Sequence, residues 1–384
     1  MEISKILLIL AAEIFTSGYI SMNLSNKNYC LILAGGRGKR LWPSSRWECP
    51  KQFADFFGTG RTQLQSTYDR MSTVVPAENI LVCTSADLEE MARRQLPELP
   101  VENLLLEPVN RNTAPAVAWA GRRINQRCED ARLVVVPCDQ LIIGDEAFRR
   151  NVLQALDFVA DNDIMLTMGI RPTRPEPGYG YIQIGEPTLS TGIFKVKSFT
   201  EKPERDFAKM FMESGEFFWN TGMFVANVRH LRDFFLKSFP DIPNRFDAMP
   251  QEATLEEATA YVNAYYSSYP NMSMDKATLE NWDGSYVMCC DFGWADLGTW
   301  HSIYECMQKQ EGDNVVIDSE VMLEDCKDNI IKLPHGHVGV INGLDGYIVA
   351  EEGDVLLICK KGDSSALIRK YANEIGIKYG EKYI

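Results

Sequence analysis

The sequence predicts an α/β fold, with a mostly parallel central sheet between helices and a small β-rich C-terminal domain. Three features predict it. Short apolar runs at 30–33, 80–83, 104–107 and 133–137 have the character of strands buried on both faces. Segments with helical spacing, Gln63–Arg70 and Ala86–Gln95 among them, alternate with those runs, which is the pattern of a parallel sheet. From about residue 312 the helical spacing stops, and NVVIDSEV, NIIKLP, VGVINGL, YIVAEEGD and VLLICKKGD follow between Asn, Gly and Asp turns. A chain of 384 residues accommodates one large α/β domain and a smaller one. The expected division is 29–310 and 311–384, with 1–28 outside the fold.

Composition narrows the function classes. Hydrophobic residues at 45% and charged residues at 24% are ordinary for a globular chain. The 39 basic and 53 acidic side chains give a net charge of −14, which argues against a nucleic-acid or anionic-membrane surface. The ten cysteines form no C-x-x-C pair, and Cys30, Cys83 and Cys359 sit in apolar runs. Free thiols in a reducing, cytoplasmic setting are therefore expected. Four histidines give a zinc site little to draw on, and His335 and His337 read as loop residues. Near the N-terminus, ILLILAAEIF after Lys5 has the look of a short signal core. Glu2 and Glu13 flank or interrupt it, no small-x-small site follows, and it is too short to span a bilayer. Met22, just ahead of the globular pattern that starts at Tyr29, is the expected true start.

Taken in order, the first strand, Cys30–Leu33, breaks into Gly35, Gly36 and Gly38, a turn in which backbone N–H groups can approach a phosphate. Arg37, Lys39, Arg40 and then Lys51 add fixed cations. The turn matches neither G-x-x-x-x-G-K-[ST] nor G-x-G-x-x-G, and bare glycine turns of this kind are common in α/β folds. The strand at 104–107 ends at Glu107-Pro108, and Asn112-Thr113 can cap a helix from Ala114-Pro115. Leu133–Pro137 is the most apolar strand. Asp139 follows its carboxyl end, where α/β folds bind ligands, and as a hard oxygen donor it suits Mg²⁺. Ile164–Ile170 and Tyr181–Ile184 read as strands around the proline-rich PTRPEPGYG loop. Glu201-Lys202 closes another strand, and Asn220-Thr221 precedes an apolar run. Residues 231–282 are mostly amphipathic helix and carry little signal. In DFGWADLGTW, Gly293, Asp296 and Gly298 punctuate a strand-to-helix turn, where Asp296 could equally be an N-cap.

The string L-A-G-G-x-G-x-R-L-W-P followed by P-K-Q-F resembles the sugar-nucleotide pyrophosphorylases and, more narrowly, the mannose-1-phosphate guanylyltransferases. E-P-x-x-R-N-T-A-P-A from Glu107, G-Y-G-Y-I from Gly178 and G-W-x-D-x-G-x-W from Gly293 are similar to blocks of the same family. Five such blocks run in the family's order across 29–384. The resemblance implies a Rossmann-like nucleotidyltransferase domain that joins GTP and mannose 1-phosphate to give GDP-mannose and pyrophosphate. It implies nucleotide contacts at Leu33, Ala34, Gly35, Gly36, Gly38, Glu107, Arg111, Asn112 and Thr113. Sugar-phosphate contacts are implied at Gly180, Glu201, Lys202 and Asn220, and Mg²⁺ on Asp139 and Asp296. Arg40 would face the leaving pyrophosphate and Lys51 the reacting phosphates. A carboxylate such as Glu107 can accept paired hydrogen bonds from N1 and the exocyclic amine of guanine, which adenine does not offer.

Cys138 and Gln140 depart from the small residue and His that flank this acid in the family. Asp275 and Glu280 match the family's acidic pair only loosely. Some relatives carry a further cupin domain with mannose-6-phosphate isomerase activity; this chain stops before one could fit, so a single activity is expected. The stacked β-tail offers a surface for a homodimer. Two alternatives stand beside this reading: a sister enzyme for another hexose 1-phosphate or nucleotide, and a catalytically silent regulatory subunit. The presence of Arg40, Lys51, Asp139 and Asp296 counts against the second.

Overall fold

A computed structural model describes residues 25–384 apart from 251–252, 280–283, 308–309, 311 and 363. The expected start at Met22 and the acid Glu280 lie outside the described residues. The chain forms two compact units, one of residues 25–35 and 67–294, the other of 36–66 and 295–384 among those described.

Among its described residues the first unit is built on ten strands: β1 (Asn28–Leu33), β2 (Ile80–Ser85), β3 (Leu104–Glu107), β4 (Arg132–Pro137), β5 (Gln140–Ile142), β6 (Met165–Ile170), β7 (Gly180–Pro187), β8 (Ile193–Glu201), β9 (Phe217–Asn227) and β10 (Ser285–Cys290). All but β5 form one sheet in the order β3-β2-β1-β4-β9-β6-β10-β8-β7. β1, β2, β3 and β4 pair in parallel, as do β6 and β10, while β8 and β9 run against their neighbours. The chain leaves β1 towards β2 on one side and returns to β4 on the other, and such a reversal opens a ligand crevice at the strands' carboxyl ends.

Among the described residues nine helices accompany these strands: α1 (Gln63–Ser72), α2 (Glu89–Gln95), α3 (Thr113–Arg127), α4 (Asp145–Ala160), α5 (Arg205–Ser214), α6 (Val228–Ser238), α7 (Asp241–Asp247), α8 (Leu255–Tyr265) and α9 (Met274–Thr278). Helix α3 presents Ala114, Ala116, Ala118 and Ala120, all buried, in one cluster with Leu31, Leu133 and Val135 of the sheet. Small residues let the helix backbone come close to its neighbours, which keeps the Asn112 end of the helix rigid. Two buried asparagines tie the strand starts together. Asn79 donates to the carbonyls of Asn26 and Asn28 at 2.9 and 3.0 Å, and Asn103 to those of Glu78 and Ile80, both at 2.8 Å. Each closes a P-x-E-N turn (76–79 and 100–103), so one sequence device is used twice to register β1, β2 and β3.

In the second unit β11 (Trp294–Asp296) leads to α10 (Trp300–Met307), and then β12 (Val315–Ile317), β13 (Glu320–Glu324), β14 (Ile330–Lys332), β15 (Val338–Asn342), β16 (Tyr347–Glu352) and β17 (Val355–Lys360) precede α11 (Ser364–Tyr379). β12, β14 and β16 stack in parallel, β13 and β15 form a second parallel pair, and β17 closes the coil antiparallel. Register advances by 15 residues from Val315 to Ile330, and by 18 from Ile330 to Ile348 and from Glu320 to Val338. The corners repeat at the longer step: Asp318, Asp325 and Asp328 have positive φ, as do Gly336, Gly343 and Gly346. Asn329 lies inside the coil, donating to the Leu344 carbonyl at 2.7 Å and accepting from the Tyr347 amide at 2.8 Å. The stacked β-tail expected from the Asn, Gly and Asp turns is this coil, and α11 follows it.

Candidate active site

The glycine turn begins in the sheet unit and continues into the second. Leu33 ends β1, and Ala34 is held on both sides: its amide donates to the Cys83 carbonyl at 2.8 Å and its carbonyl accepts from Thr84 Oγ1 at 2.9 Å. Beyond it, the Gly36 carbonyl accepts from Gln52 Nε2 at 2.6 Å, and Ser45 Oγ donates to the Arg37 carbonyl at 3.0 Å while accepting from the Lys51 amide at 3.0 Å. Gly38 has φ +60°, and a Cβ there would meet Ser45 Oγ at 2.7 Å and Lys51 Cγ at 2.9 Å. Lys51 is folded beneath the turn, only 4% exposed, so its ammonium is carried on a buried stem. P-K-Q-F is thus the floor of the loop that the glycines form. Arg37 stacks on Trp47 with its guanidinium carbon 3.0 Å from the ring centroid.

Residues distant in sequence hold this loop. Trp42 Nε1 donates to the Tyr383 carbonyl at 2.7 Å, the Trp47 amide to the Ile384 carbonyl at 2.7 Å, and Trp300 Nε1 to the Trp42 carbonyl at 3.2 Å. Arg46 donates to the Glu352 carbonyl and pairs with Asp354 at 3.2 Å. Asp296 ends β11, and Thr299, whose Oγ1 accepts the Ser302 amide at 2.9 Å, takes the capping position of α10. Asp296 is therefore spared the N-cap role and lies half-buried beside Gly298, against which Arg40 Nη2 also rests.

The expected nucleotide residues of the sheet unit gather at the end of β3. Glu107 is 8% exposed; its Oε1 accepts from Tyr266 at 2.6 Å, and its Oε2 stands 3.1 Å from where a Cβ on Gly35 would be. A side chain on Gly35 would therefore require Glu107 to give way by a few tenths of an ångström. Burial pushes the Glu107 carboxyl up to about 7, against the opposing effect of hydrogen bonds from Tyr266 and Cys83. Asn112, at φ 64°, caps α3 by accepting the Thr113 amide, and Thr113 Oγ1 accepts the Met274 amide at 2.8 Å. Arg111 donates from Nη2 to the Ser267 carbonyl, and its buried Nε has no acceptor among the described residues.

The expected sugar-phosphate residues meet at the start of β7. Gly180 pairs with Glu201 across β7 and β8, and Glu201 Oε2 lies 3.0 Å from the place of a Gly180 Cβ. Lys202 has positive φ, pairs with Glu201, and its amide donates to the Tyr179 carbonyl at 3.2 Å. Tyr179 stands edge-on to Trp219 and Trp294, with centroids 5.2 and 5.0 Å away. Asn220 donates to Asp275 at 2.7 Å and accepts from Thr167 Oγ1 and the Gly222 amide, which fixes its amide orientation. Burial raises the Asp275 carboxyl, the Asn220 bond lowers it, and Glu201 raises it again. Sequence reasoning left Asp275 without a role and missed Tyr266 altogether. Tyr266 is 159 residues from Glu107, and no spacing rule links them.

Asp139 follows β4 in the sheet unit and Asp296 belongs to the second unit; both are half-buried carboxylates, the oxygen donors a hard divalent ion takes. Among the described residues no group of three or more His, Cys, Asp or Glu side chains is arranged as a metal cluster. Cys138, buried against the end of β1, donates its amide to the Leu33 carbonyl at 3.1 Å, and Gln140 donates to the Thr221 carbonyl. The two departures around Asp139 thus serve as wall and strut. Among the described residues no helix is long and apolar enough to cross a membrane.

The nucleotidyl transferase family model matches residues 29–312. The chain belongs to this family. A mannose-1-phosphate guanylyltransferase of Sinorhizobium fredii is 34% identical over 85% of the chain, and one of Escherichia coli is 31% identical over 86%. The chain spans 64% of the length of the first and 70% of the second. A Thermus thermophilus crystal structure described as a mannose-1-phosphate geranyltransferase superposes with a TM-score of 0.81 at 30% identity, covering 91% of this chain and 99% of that one.

Proposed function

We propose that this chain makes GDP-mannose and pyrophosphate from mannose 1-phosphate and GTP, with residues 29–310 carrying the chemistry. The observation that supports it most is the cationic glycine turn, with Lys51 folded beneath Gly38. A phosphate monoester is already a nucleophile, so the protein's work is alignment and charge neutralisation. Glu107 would read the guanine edge beside Gly35, and the amides of Gly35, Gly36 and Gly38 would line the triphosphate after Leu33 and Ala34, with Arg111, Asn112 and Thr113 shaping the base pocket. Glu201 and Asn220 would bind sugar hydroxyls at Gly180, and Lys202 the sugar phosphate. The sugar phosphate oxygen attacks the α-phosphorus in line as pyrophosphate departs, with Lys51 on the reacting phosphates and Arg40 on the leaving group. Asp139 and Asp296 would hold Mg²⁺, which supplies charge neutralisation at the phosphates.

The test is pyrophosphate release by the purified protein with Mg²⁺, using four nucleoside triphosphates and a panel of hexose 1-phosphates. Turnover confined to GTP and mannose 1-phosphate is expected. Turnover with another pair overturns the substrate assignment. No turnover with any pair overturns the enzymatic reading.

A further inference from the structure

The hydrogen bond from Tyr266 to Glu107 has no part in the roles assigned so far. Tyr266 is fully buried, follows α8, and packs its ring against Trp119 and Tyr269 at centroid distances of 6.0 and 5.3 Å. A ring so confined cannot turn its hydroxyl away, so the 2.6 Å bond to Oε1 fixes the Glu107 carboxyl plane while Oε2 faces Gly35. The Cys83 thiol of β2 is the other titratable group facing this carboxyl, and it too donates.

The protonation state of such a carboxyl decides which base it fits. Ionised, it offers two acceptors and matches the N1–H and amino donors of guanine. Protonated, it offers one donor and one acceptor, which matches the N1 acceptor and amino donor of adenine. A phenol donating to the carboxylate favours the ionised form.

We propose that Tyr266 is a positioning residue that sets base selectivity, its hydroxyl holding Glu107 as a two-acceptor, guanine-reading group. This rests on the reading of Glu107 as the base-recognition carboxylate. Without the hydroxyl, the same carboxyl takes up a proton more readily and becomes tolerant of adenine.

The experiment is the ratio of kcat/KM for GTP to that for ATP between pH 6 and 9, in which titration of the triphosphate itself cancels. In the wild type the ratio is expected to fall as pH drops through about 7. In Tyr266→Phe that fall is expected about one pH unit higher, with the ratio at pH 9 within about threefold of wild type. Recovery at high pH is something a merely damaged fold would not show. A Tyr266→Phe ratio that tracks wild type at every pH, or is lowered equally at every pH, overturns the proposal. In that case Glu107→Gln, which should abolish the preference at all pH values, still reports on the base reading. A Glu107→Gln enzyme with the wild-type ratio sinks that reading, and this proposal with it. Should Tyr266→Phe not fold, calorimetry of GDP-mannose binding to the wild type at pH 7 in two buffers serves instead. Net proton release on binding is expected, and none overturns the proposal.

Discussion

Residues 36–53 owe their shape to partners far along the chain: Trp42 to Tyr383, Arg46 to Asp354 and Trp300 to Trp42 are separated by 341, 308 and 258 residues. Gly180, Glu201 and Lys202, by contrast, are shaped by one β-hairpin whose strands adjoin in sequence. A glycine turn has no side chains of its own to stiffen it, so its conformation must be imposed from outside. A hairpin carries its rigidity in its ladder. The C-terminal coil and α11 are thus part of the loop's framework, although no side chain of theirs is assigned a chemical role.

That contrast can be broken or sharpened by substitution. Lys51→Ala should lower kcat by about 10²-fold or more, the scale of losing one preorganised charged donor, with GTP-over-ATP preference intact. A near-normal rate removes Lys51 from the chemistry. Asp275→Asn should raise KM for the sugar phosphate about tenfold while GTP KM stays within about twofold, because only the Asn220 bond is weakened. Equal changes for both substrates would show that the cradle and the loop are not separate. Arg46→Ala should lower kcat about fivefold and stability by roughly 1–2 kcal/mol, because it frees the loop from the Glu352 carbonyl and Asp354. Unchanged kcat in the face of that stability loss would mean that the loop needs no distant support.

The last effect is on stability alone and concerns Glu107. Its folded value of about 7 lies above the ordinary 4.5, so the folded chain holds more protons than the unfolded one between these values. Stability contributed at low pH is lost as pH rises through that window, by at most about 3 kcal/mol. Glu107→Gln should remove that slope and melt a few degrees higher than wild type at pH 8, as thermal unfolding at pH 5 and pH 8 would show.

Strands β1 to β4 could be read from the sequence because strands covered on both faces are almost wholly apolar. The Asn112 cap could be read too, since an Asn before a helical run announces itself locally. Asp296 was ambiguous because a turn aspartate and an N-cap look alike in one dimension; Thr299, three residues on, resolves it by capping α10. The reversed strands β8 and β9 leave no local mark, since strand direction is decided by partners rather than by composition. Tyr266 and Asp275 lie in or after the helical stretch 231–282, where amphipathic spacing explains every aromatic and acid equally well. Their roles come from long-range hydrogen bonds to Glu107 and Asn220. The 18-residue corner repeat went unseen because one turn uses Asp where the next uses Gly.

That repeat constrains how the C-terminal coil can change length. An insertion or deletion of 18 residues returns the left-handed corners at 318, 325 and 328 to those at 336, 343 and 346, each an Asp or a Gly. A change of 17 or 19 rotates β-branched residues into the corners and carboxylates into the interior. Length is therefore constrained from corner to corner, whereas the 15-residue step from β12 to β14 against the 18-residue step from β14 to β16 places an accommodated change of three residues between Lys332 and Gly336.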